Sequence, residues 1–448
     1  MSYKILFLSL LCGVLITTDV QAQQSLDQLI EQNISTLVST YKNLHATPEL
    51  SHKEEKTAAL LANELRAMGY TVTEKIGKYD RPDLTSYGVI AILKNGDGPT
   101  VLIRTDLDGL PVEEKTGLPY ASKARTKNEN GEDVGVMHAC GHDIHMTSLL
   151  GTAKMLTQLK DQWHGTLVVV GQPAEERGTG AKAMLNDNLY TRFPKPDYVL
   201  ALHDSASLAA GKIGYCEGYA LANVNSVDIT IRGIGGHGAY PSTTKDPIVV
   251  ASQVVLALQT IVSRENSPLD PAVVTVGSIH GGTKHNIISD EVKLQLTVRT
   301  YREEVRQHVL AAIERIAKGV ALAAGIPNEL APVVRVVESE FTPATYNNPE
   351  LTQRLVKVWQ KSLGPDNVVK TDPVMGGEDF GRFSLAGNQI PGCIFWLGAV
   401  DPEKIEQSRK NGSSLPSLHS SLFAPLPEPT IRTGVKAMTS AVLDLMKR

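Results

Sequence analysis

The chain has 448 residues, of which 42% are hydrophobic and 21% are charged. This length exceeds the ~250–300 residues at which a single hydrophobic core stops growing, so we expect two domains. The formal net charge of −4 and the lack of a basic run give no electrostatic case for nucleic acid or an anionic membrane as a partner.

The first 22 residues have the pattern of a secretory signal peptide. Lys4 supplies a positive start, Ile5–Thr17 is almost continuously apolar, and the small residues Val20 and Ala22 precede the expected cleavage point. This apolar run is shorter than the ~20 residues that span a bilayer, and no other apolar stretch is expected to reach that length. We therefore expect cleavage after Ala22 and a secreted or periplasmic protein that has no contact with the membrane after cleavage.

Cleavage also removes Cys12, which leaves three of the four cysteines. Four cysteines in a chain of this length do not form a disulfide scaffold. An odd number in an oxidising compartment leaves at least one cysteine without an intramolecular partner. Cys216 and Cys393 either pair with each other or are buried as free thiols, and burial is the default expectation.

The first part of the mature chain alternates helices with short apolar strands. Helices are predicted over 25–69, where apolar residues recur at three and four positions and Gly69 ends the pattern. The predicted strands are Gly88–Leu93, Thr100–Arg104, Thr166–Gly171 and Tyr198–Leu202, and the helices between them include Met146–Lys160 and Ala181–Leu189. This alternation indicates a mostly parallel sheet that is covered on both faces.

From about Leu221 the pattern changes to strands in which apolar and polar residues alternate. The predicted strands are Val224–Arg232, Ala272–His280, Glu291–Thr300 and Val333–Glu340, and the helices are Ile248–Arg264 and Glu303–Ala324. Their order, β-α-β-β-α-β, is that of a ferredoxin-like α+β domain. After Thr342 the α/β pattern returns with a helix at Pro349–Leu363 and a strand at Gly392–Leu397. We predict an α/β protein in which residues 23–220 and 341–448 form a discontinuous three-layer α/β/α domain and 221–340 form an inserted α+β domain.

The segment His138–His145 concentrates residues that bind metal ions. Three of the chain's 12 histidines lie in these eight residues, together with Cys140. Only Gly141 separates Cys140 from His142, so the backbone can bend and direct both side chains to one point. Thiolate and imidazole are good ligands for zinc and its neighbours. We therefore expect a metal site here rather than a loop with incidental histidines.

Further candidate ligands follow predicted strands. Glu175 and Glu176 come after the third strand and His203 after the fourth, at carboxyl ends where open α/β sheets place their sites. A metal ion would let one glutamate act as a ligand while the other accepts a proton. Taken alone, the pair is more typical of a solvated acidic loop, and lone histidines such as His203 and His419 are more often structural. Their joint occurrence with the histidine-rich segment favours a shared metal site.

Together these motifs resemble the co-catalytic di-metal amidohydrolases and peptidases. The similar branch holds hippurate hydrolase, bacterial N-acyl-amino-acid amidohydrolases and the plant auxin-conjugate amidohydrolases. The resemblance runs from about Leu29 to the C-terminus. Its motifs are Arg104–Pro111, His138–His145, Pro173–Glu176, Gly235–Pro241 and His419–Phe423.

The resemblance implies two divalent metal ions, with zinc or manganese expected and cobalt or nickel left open. The implied ligands are Cys140 as the bridge, His142, Glu176, His203 and His419. Glu175 matches the family's general base. The inserted domain resembles a dimerising lid, and His237 matches a lid histidine that reaches the active site of the partner. We therefore expect a homodimer that forms through the lid.

Three further residues have weaker assignments. Asp108, two residues after Asp106 at a strand end, is expected to orient a ligand histidine, with a turn before Pro111 as the alternative. Arg299 ends a predicted strand and Asn286 opens the same hairpin. The resemblance places such a pair beside the substrate carboxylate, which suits the paired N–H donors of arginine. The alternative for both is a surface contact.

The resulting expectation is an exported metal-dependent amidohydrolase that hydrolyses the amide bond of N-acyl amino acids, such as acetyl or benzoyl derivatives. A dipeptidase or carboxypeptidase on the same scaffold would differ only in its pocket. A non-catalytic binding protein and a thiol enzyme with Cys140 as nucleophile are alternatives from other classes. Ser242 and Ser289 stand where the family often has His and Pro, so the sequence leaves the substrate open.

Overall fold

The computed structural model describes residues 24–385 and 389–447 of the chain. The expected signal peptide, 1–22, lies outside these residues and stays a prediction. Two helices, α1 (Leu26–Ala46) and α2 (Glu55–Ala67), lead the described chain. A capping box at Ser25 begins α1, and Gly69, with a left-handed φ of 87°, follows α2 as the apolar spacing predicted.

The remaining elements fall into three stretches of the chain. The first holds β1 (Thr71–Ile76), β2 (Gly88–Asn95), β3 (Thr100–Asp106), β4 (Arg125–Lys127), β5 (Asp133–Gly135), α3 (His142–Gln158), β6 (Gly165–Gln172), α4 (Gly180–Asn186), α5 (Leu189–Arg192), β7 (Tyr198–Ala209), β8 (Ile213–Tyr215) and β9 (Gly218–Leu221). The second holds β10 (Asn223–Arg232), β11 (Gly236–His237), α6 (Pro247–Thr260), β12 (Ala272–Gly281), β13 (Ile287–Ile288), β14 (Glu291–Thr300), α7 (Glu303–Ala323) and β15 (Val333–Val336). The third holds β16 (Thr345–Asn347), α8 (Pro349–Leu363), β17 (Val368–Lys370), α9 (Gly381–Leu385), β18 (Gly392–Val400), α10 (Pro402–Asn411) and α11 (Pro427–Leu445).

The larger sheet has eight strands in the order β1-β2-β6-β3-β7-β18-β8-β17. Its centre, β6-β3-β7-β18, is parallel throughout. The pairs β1-β2, β2-β6 and β18-β8 are antiparallel, so the sheet is mixed toward its edges. The parallel centre brings the carboxyl ends of four strands to one edge, and β6, β3 and β7 carry the predicted site residues there.

Two apolar clusters cover the two faces of this sheet. Val101 and Ile103 of β3 face a core shared with α1, α3, α8 and α11. Leu102, between them, faces a second core with Met184 of α4 and Phe383 of α9. Successive strand residues point to opposite faces, so a strand buried on both sides reads as a continuous apolar run. The three-layer α/β/α arrangement predicted from the sequence is confirmed.

The second sheet is antiparallel, in the order β12-β14-β10-β15, and it lies within the inserted segment. Strand β10 alternates buried and half-buried residues along its whole length. Its inward residues Val227, Ile229 and Ile231 form a separate core with α6 and α7. The elements follow the predicted order β-α-β-β-α-β, which confirms the ferredoxin-like α+β domain. We call it the lid; the domain boundaries at 220/221 and 340/341 stay a prediction.

Several element ends differ from the sequence predictions for local reasons. The strand expected over 333–340 stops at Val336, and a 3-10 turn occupies Glu338–Glu340. The helix expected over 181–189 stops at Asn186, because Asn188 adopts a left-handed φ of 59°. Helix α3 begins at His142 rather than at Met146, so its first turn carries most of the histidine-rich segment. This earlier start matters for the site.

One helix of the described residues has the length and composition to cross a membrane, contrary to the expectation that none beyond the signal peptide would. It is Pro247–Glu265, which comprises α6 and a final π-helical turn. Val250, Val254 and Leu258 on one side belong to the lid core. Val249 and Leu256 lie on the exposed side, at 52% and 72% exposure. This helix therefore packs on the lid sheet with one apolar side and leaves a second apolar side uncovered.

Candidate active site

The five predicted metal ligands converge from four stretches of chain. Cys140 lies in the turn before α3, His142 is the first residue of α3, and Glu176 follows β6. His203 lies inside β7, which continues to Ala209, and not after the strand as expected. His419 comes from the loop before α11. Because β3, β6 and β7 are parallel neighbours, these positions meet at one edge of the sheet.

The distances between their donor atoms are short. The Cys140 sulfur lies 3.5 Å from Nε2 of His203 and 3.2 Å from Nε2 of His419. The Glu176 carboxylate reaches both sides of the group: Oε1 lies 3.8 Å from Nε2 of His142, and Oε2 lies 3.6 Å from Nε2 of His419. Cys140 is thus central to the group, in keeping with a bridging position.

The orientation of the imidazoles suits metal binding. Nδ1 of His142 lies 2.7 Å from the main-chain carbonyl of Asp108, and Nδ1 of His203 lies 2.8 Å from that of Asp204. A carbonyl only accepts hydrogen bonds, so each Nδ1 carries the proton and each Nε2 keeps its lone pair. Nε2 of His142 and Oε1 of Glu176 are buried and have no hydrogen-bond partner. Buried polar atoms are rarely left unpaired, so these atoms fit ligation of a cation.

The charges of the site also call for a cation. Burial, and then the Glu176 carboxylate, raise the pKa of the Cys140 thiol well above its usual value. Burial and Asp108 raise the pKa of Glu176 to about 7, against an opposing effect of His142. Thiolate and carboxylate in such surroundings ionise readily only when positive charge lies beside them. The donor set of one thiol, three imidazoles and one carboxylate is that of zinc and neighbouring divalent metals.

Glu175 lies next to these five residues but is not one of the proposed ligands. Its Oε2 is 3.8 Å from Nε2 of His142, and the residue is only 9% exposed. Burial, followed by the carboxylates of Glu378 and Glu176, raises the pKa of Glu175 well above its usual value. A carboxylate with a raised pKa at the wall of a cavity is suited to accepting a proton.

Asp108 differs in part from its predicted role. Its main-chain carbonyl, and not its carboxylate, makes the short contact to His142, because Oδ1 lies 3.4 Å from Nδ1. The carboxylate accepts the main-chain N–H groups of Glu175 at 3.2 Å and Glu176 at 3.0 Å. It also accepts a 2.6 Å hydrogen bond from the Ser51 hydroxyl. The side chain of Asp108 therefore chiefly holds the turn that carries both glutamates.

Sequence reasoning missed other buried groups around the site. His145 lies between Asp106, whose Oδ1 is 2.7 Å from Nδ1, and Asp204, whose main-chain N–H donates to Nε2 at 2.9 Å. Arg104 is buried and pairs with Asp106 at 2.7 Å and with Glu378 at 2.8 Å. Asp204 directly follows a proposed ligand histidine in sequence, which was an available signal. Glu378 lies in Gly376–Phe380, a segment that the resemblance to the di-metal family places in a turn at the rim of the pocket.

A cavity of about 610 Å³ is lined by four of the five converging residues, Cys140, Glu176, His203 and His419, and by Glu175. Arg299 lies in its wall and donates to the main-chain carbonyl of Met375 at 3.2 Å. Within residues 24–385 and 389–447, no carboxylate forms an ion pair with the Arg299 guanidinium. Burial lowers the pKa of Arg299. A half-buried cation without an anionic partner fits the carboxylate of a substrate.

His237 and Asn286 lie apart from this cavity. Both are exposed at the tip of the lid, where β11 pairs with β13 and the N–H of Gly238 donates to the carbonyl of Asn286. Neither lines the cavity of its own chain. Asn286 precedes β14 and Arg299 lies near the far end of that strand, roughly 27 Å along at ~3.4 Å per residue. Within one chain, β14 therefore keeps Asn286 away from Arg299 and from the cavity, and a joint role at the substrate carboxylate stays a prediction.

Comparison with known proteins agrees with this geometry. The model of peptidase family M20/M25/M40 matches residues 102–414. The chain belongs to this family. Thermostable carboxypeptidase 2 of Saccharolobus solfataricus is 36% identical over 403 residues, which cover 90% of this chain and 93% of the relative. N-acetyldiaminopimelate deacetylase of Limosilactobacillus reuteri is 34% identical over 405 residues, which cover 90% and 96%.

A solved structure gives the same result. The crystal structure of a dinuclear metal-binding M20 peptidase from Bacillus subtilis matches with a TM-score of 0.71 and 28% identity, covering 93% of this chain and 99% of that one. The resemblance to di-metal amidohydrolases that the motifs indicated is confirmed. This member of family M20/M25/M40 is a metal-dependent hydrolase that acts on amides.

Proposed function

We propose that the protein hydrolyses N-acyl amino acids at the amide bond, with water as the nucleophile. The observation that carries this proposal is a cavity lined by Glu175, Arg299 and four of the five proposed metal ligands, with the fifth, His142, buried beside Glu175 and Glu176. Relatives named as deacetylases of N-acetylated amino acids support it. The acyl group and the amino acid stay open.

Cys140, His142, Glu176, His203 and His419 would hold two divalent ions, of zinc or manganese, with cobalt or nickel as further candidates. When bound, the two ions would lower the pKa of a water molecule and polarise the amide carbonyl. The Nδ1–H bonds of His142 and His203 to main-chain carbonyls would keep both rings in the ligating orientation.

Glu175 would accept a proton from the attacking water and pass it to the leaving amine. Its raised pKa makes it a stronger base than an ordinary carboxylate. Its side chain is free for this task because its main chain, and not its carboxylate, is bound by Asp108. Arg299 would hold the carboxylate of the amino acid through paired N–H donors.

We also propose that the protein acts as a homodimer through the lid. His237 and Asn286 are exposed at the lid tip and do not line the cavity of their own chain, so a role for them needs a second copy. Strand β12 is an edge strand, and the outer side of α6 exposes Val249 and Leu256. An unpaired strand edge beside uncovered apolar residues suits a twofold interface. In that assembly His237 would donate to the developing oxyanion in the partner's site, and Asn286 would join Arg299 at the substrate carboxylate.

Export is proposed from the N-terminal pattern alone. Loss of 1–22 by cleavage after Ala22 would place the protein outside the cytoplasm, in the periplasm of a Gram-negative source. N-terminal sequencing of protein recovered from the periplasmic or secreted fraction should begin at Gln23. A full-length chain found only in the cytosol would refute this part.

The competing activity is that of a dipeptidase or carboxypeptidase, favoured by the carboxypeptidases among the relatives. A panel of N-acetyl amino acids, N-benzoyl amino acids and dipeptides separates the two, since the proposal requires higher kcat/KM on the acylated amino acids. Chelation should abolish the activity and added zinc or manganese should restore it. Activity that survives chelation would instead support Cys140 as a nucleophile, and no hydrolysis of any amide with metal present would support a binding protein.

A further inference from the structure

The loop between α1 and α2 packs beneath the turn that carries Glu175. Glu54, at the end of this loop, is fully buried, and its Oε1 accepts the main-chain N–H of Ala174 at 2.8 Å. Its second oxygen, Oε2, has no hydrogen-bond partner among the described residues. Glu54 belongs to none of the motifs above and takes no part in the proposed chemistry, yet its carboxyl group is buried at the base of the site, where burial and Asp108 raise its pKa to about 8.

Ala174 has a backbone conformation that needs support. Its φ is 47°, in the left-handed region that residues with a Cβ adopt at a cost. The next two N–H groups, of Glu175 and Glu176, donate to the two oxygens of Asp108. Three successive N–H groups therefore donate to buried carboxyl groups. Glu54 and Asp108 supply these acceptors from two different segments.

We propose that Glu54 is a positioning residue for Glu175. By holding the Ala174 N–H it fixes the left-handed turn, and the turn sets the direction in which the Glu175 side chain enters the cavity. The same loop also holds Asp108, the other acceptor for this turn, since the Ser51 hydroxyl donates to its carboxylate. This inference rests on the proposed function, because it assumes that Glu175 accepts the proton.

Loss of the hydrogen bond between Glu54 and Ala174 should disturb the turn that carries Glu175. Without an acceptor, the Ala174 N–H is buried and unpaired, and the left-handed turn relaxes toward a less strained conformation. A displacement of about 1 Å of a reacting group can cost roughly 10²-fold in rate. Because Glu54 does not line the cavity or contact Arg299, its loss should lower kcat and leave KM unchanged.

Three variants of Glu54 separate positioning from charge. Glu54→Gln keeps an oxygen at the same reach, whereas Glu54→Asp shortens the side chain and Glu54→Leu removes the acceptor. We expect the kcat of Glu54→Gln to lie within a few-fold of the parent value. The kcat of Glu54→Asp and of Glu54→Leu should be roughly 10- to 100-fold lower, and all three variants should still bind two metal ions. Glu49→Leu is the matched control, because Glu49 lies in the same loop as Glu54 but accepts hydrogen bonds from Thr57 of α2.

Hydrogen exchange of the peptide spanning 173–178 gives a readout that is independent of activity. The amides should exchange faster in Glu54→Asp and Glu54→Leu and at the parent rate in Glu54→Gln. In a Glu175→Gln background, Glu54→Asp should add little further loss of turnover. If Glu175→Gln proves fully active, the proposed function fails. The exchange data would still show whether Glu54 stabilises the turn through its hydrogen bond to Ala174.

Three results would overturn the positioning role. The first is Glu54→Gln losing as much kcat as Glu54→Asp, which would mean that the charge and not the acceptor matters. The second is unchanged exchange over 173–178 in Glu54→Asp, and the third is loss of bound metal in that variant. Should Glu54→Leu fail to fold, the ordering of Glu54→Gln above Glu54→Asp decides the question alone.

Discussion

At the scale of single residues, the site depends on a glycine, Gly141, in the turn between Cys140 and His142. Gly141 adopts a left-handed φ of 75°, and a Cβ built there would lie 2.0 Å from the Asp204 carboxylate. Asp204 in turn contacts His145 and offers its main-chain carbonyl to His203. Gly141 thus lets the chain turn between Cys140 and His142 while a buried carboxylate packs against it.

Gly141→Ala should therefore lower the stability of the protein by more than the strain of a left-handed alanine alone. Gly96 is the matched control, since it has a φ of 81° and open space where a Cβ would lie. We expect Gly96→Ala to lose about 1–2 kcal/mol of stability and to bind metal normally. Gly141→Ala should lose more stability and also bind less metal, because Asp204 must move. Equal denaturation midpoints and equal metal contents for the two variants would refute this account of Gly141.

The clustering of cysteine and histidine in the sequence indicated which side chains converge at the site, but it did not indicate residues that act through main-chain hydrogen bonds. Cys140 and His142 were identifiable because thiol and imidazole lie two apart around a glycine. Glu54 had no such context, since its contact is to a main-chain N–H 120 residues away. Asp108 does contact His142, but the sequence does not tell whether the ring N–H meets the side chain or the main-chain carbonyl.

At the scale of elements, a buried ion pair joins α1 to the first turn of α3. His45, in the last turn of α1, lies 2.7 Å from Asp143 and 3.1 Å from Glu114, and all three side chains are inaccessible to solvent. Burial disfavours the charged imidazole, but Asp143 and Glu114 outweigh it and raise the pKa of His45 to about 10. Asp143 directly follows the proposed ligand His142, so this pair ties the site to the helical layer.

The raised pKa makes this contribution to stability depend on pH. Because the folded-state pKa exceeds the unfolded value of about 6.5, the contribution is complete below pH ~6.5 and is lost as pH rises toward 10. Removing one partner of a buried pair typically costs about 3–5 kcal/mol. His45→Gln should therefore be much less stable than the parent at pH 6.5, and the gap should narrow by pH 9.5 in urea titrations. His280→Gln, at an exposed lid position, is the control; a gap for His45→Gln that does not change with pH would contradict the assignment.

Strand and helix periodicity predicted most elements well, but not how far a hairpin separates two residues. The bounds Glu291–Thr300 and Pro349–Leu363 were predicted as the structure has them. Yet the same ten-residue strand keeps Asn286 and Arg299 apart within one chain. Sequence spacing fixes the length of a strand, whereas proximity across a dimer depends on a second copy that the spacing does not contain.

At the scale of the whole molecule, the two domains divide the proposed site between them. The large sheet presents the proposed metal ligands and Glu175, while the lid contributes Arg299 near one end of β14 and His237 beyond the other. A single chain cannot bring both ends of that strand to one cavity. If His237 and Asn286 take part in hydrolysis, they serve a partner subunit.

Mixed dimers test this arrangement. His237→Ala and Glu175→Gln chains should each be nearly inactive, and mixing them should restore activity, because one site of each heterodimer has both residues intact. The measurement is turnover against mixing ratio, with heterodimer formation checked by native mass spectrometry. Heterodimers that form but stay as inactive as the separate variants would mean that His237 serves its own subunit or has no chemical role.

The central claim, that one adjacent glutamate binds metal while the other handles the proton, is tested most directly by counting metal ions in two isosteric variants. Glu175→Gln should bind two ions per subunit, as the parent does, and lose roughly 10²–10⁴-fold in kcat because an amide does not accept the proton. Glu176→Gln should bind less metal at the same free concentration, because it loses a ligating carboxylate. Full activity in Glu175→Gln, or an unchanged metal count and affinity in Glu176→Gln, would contradict the account.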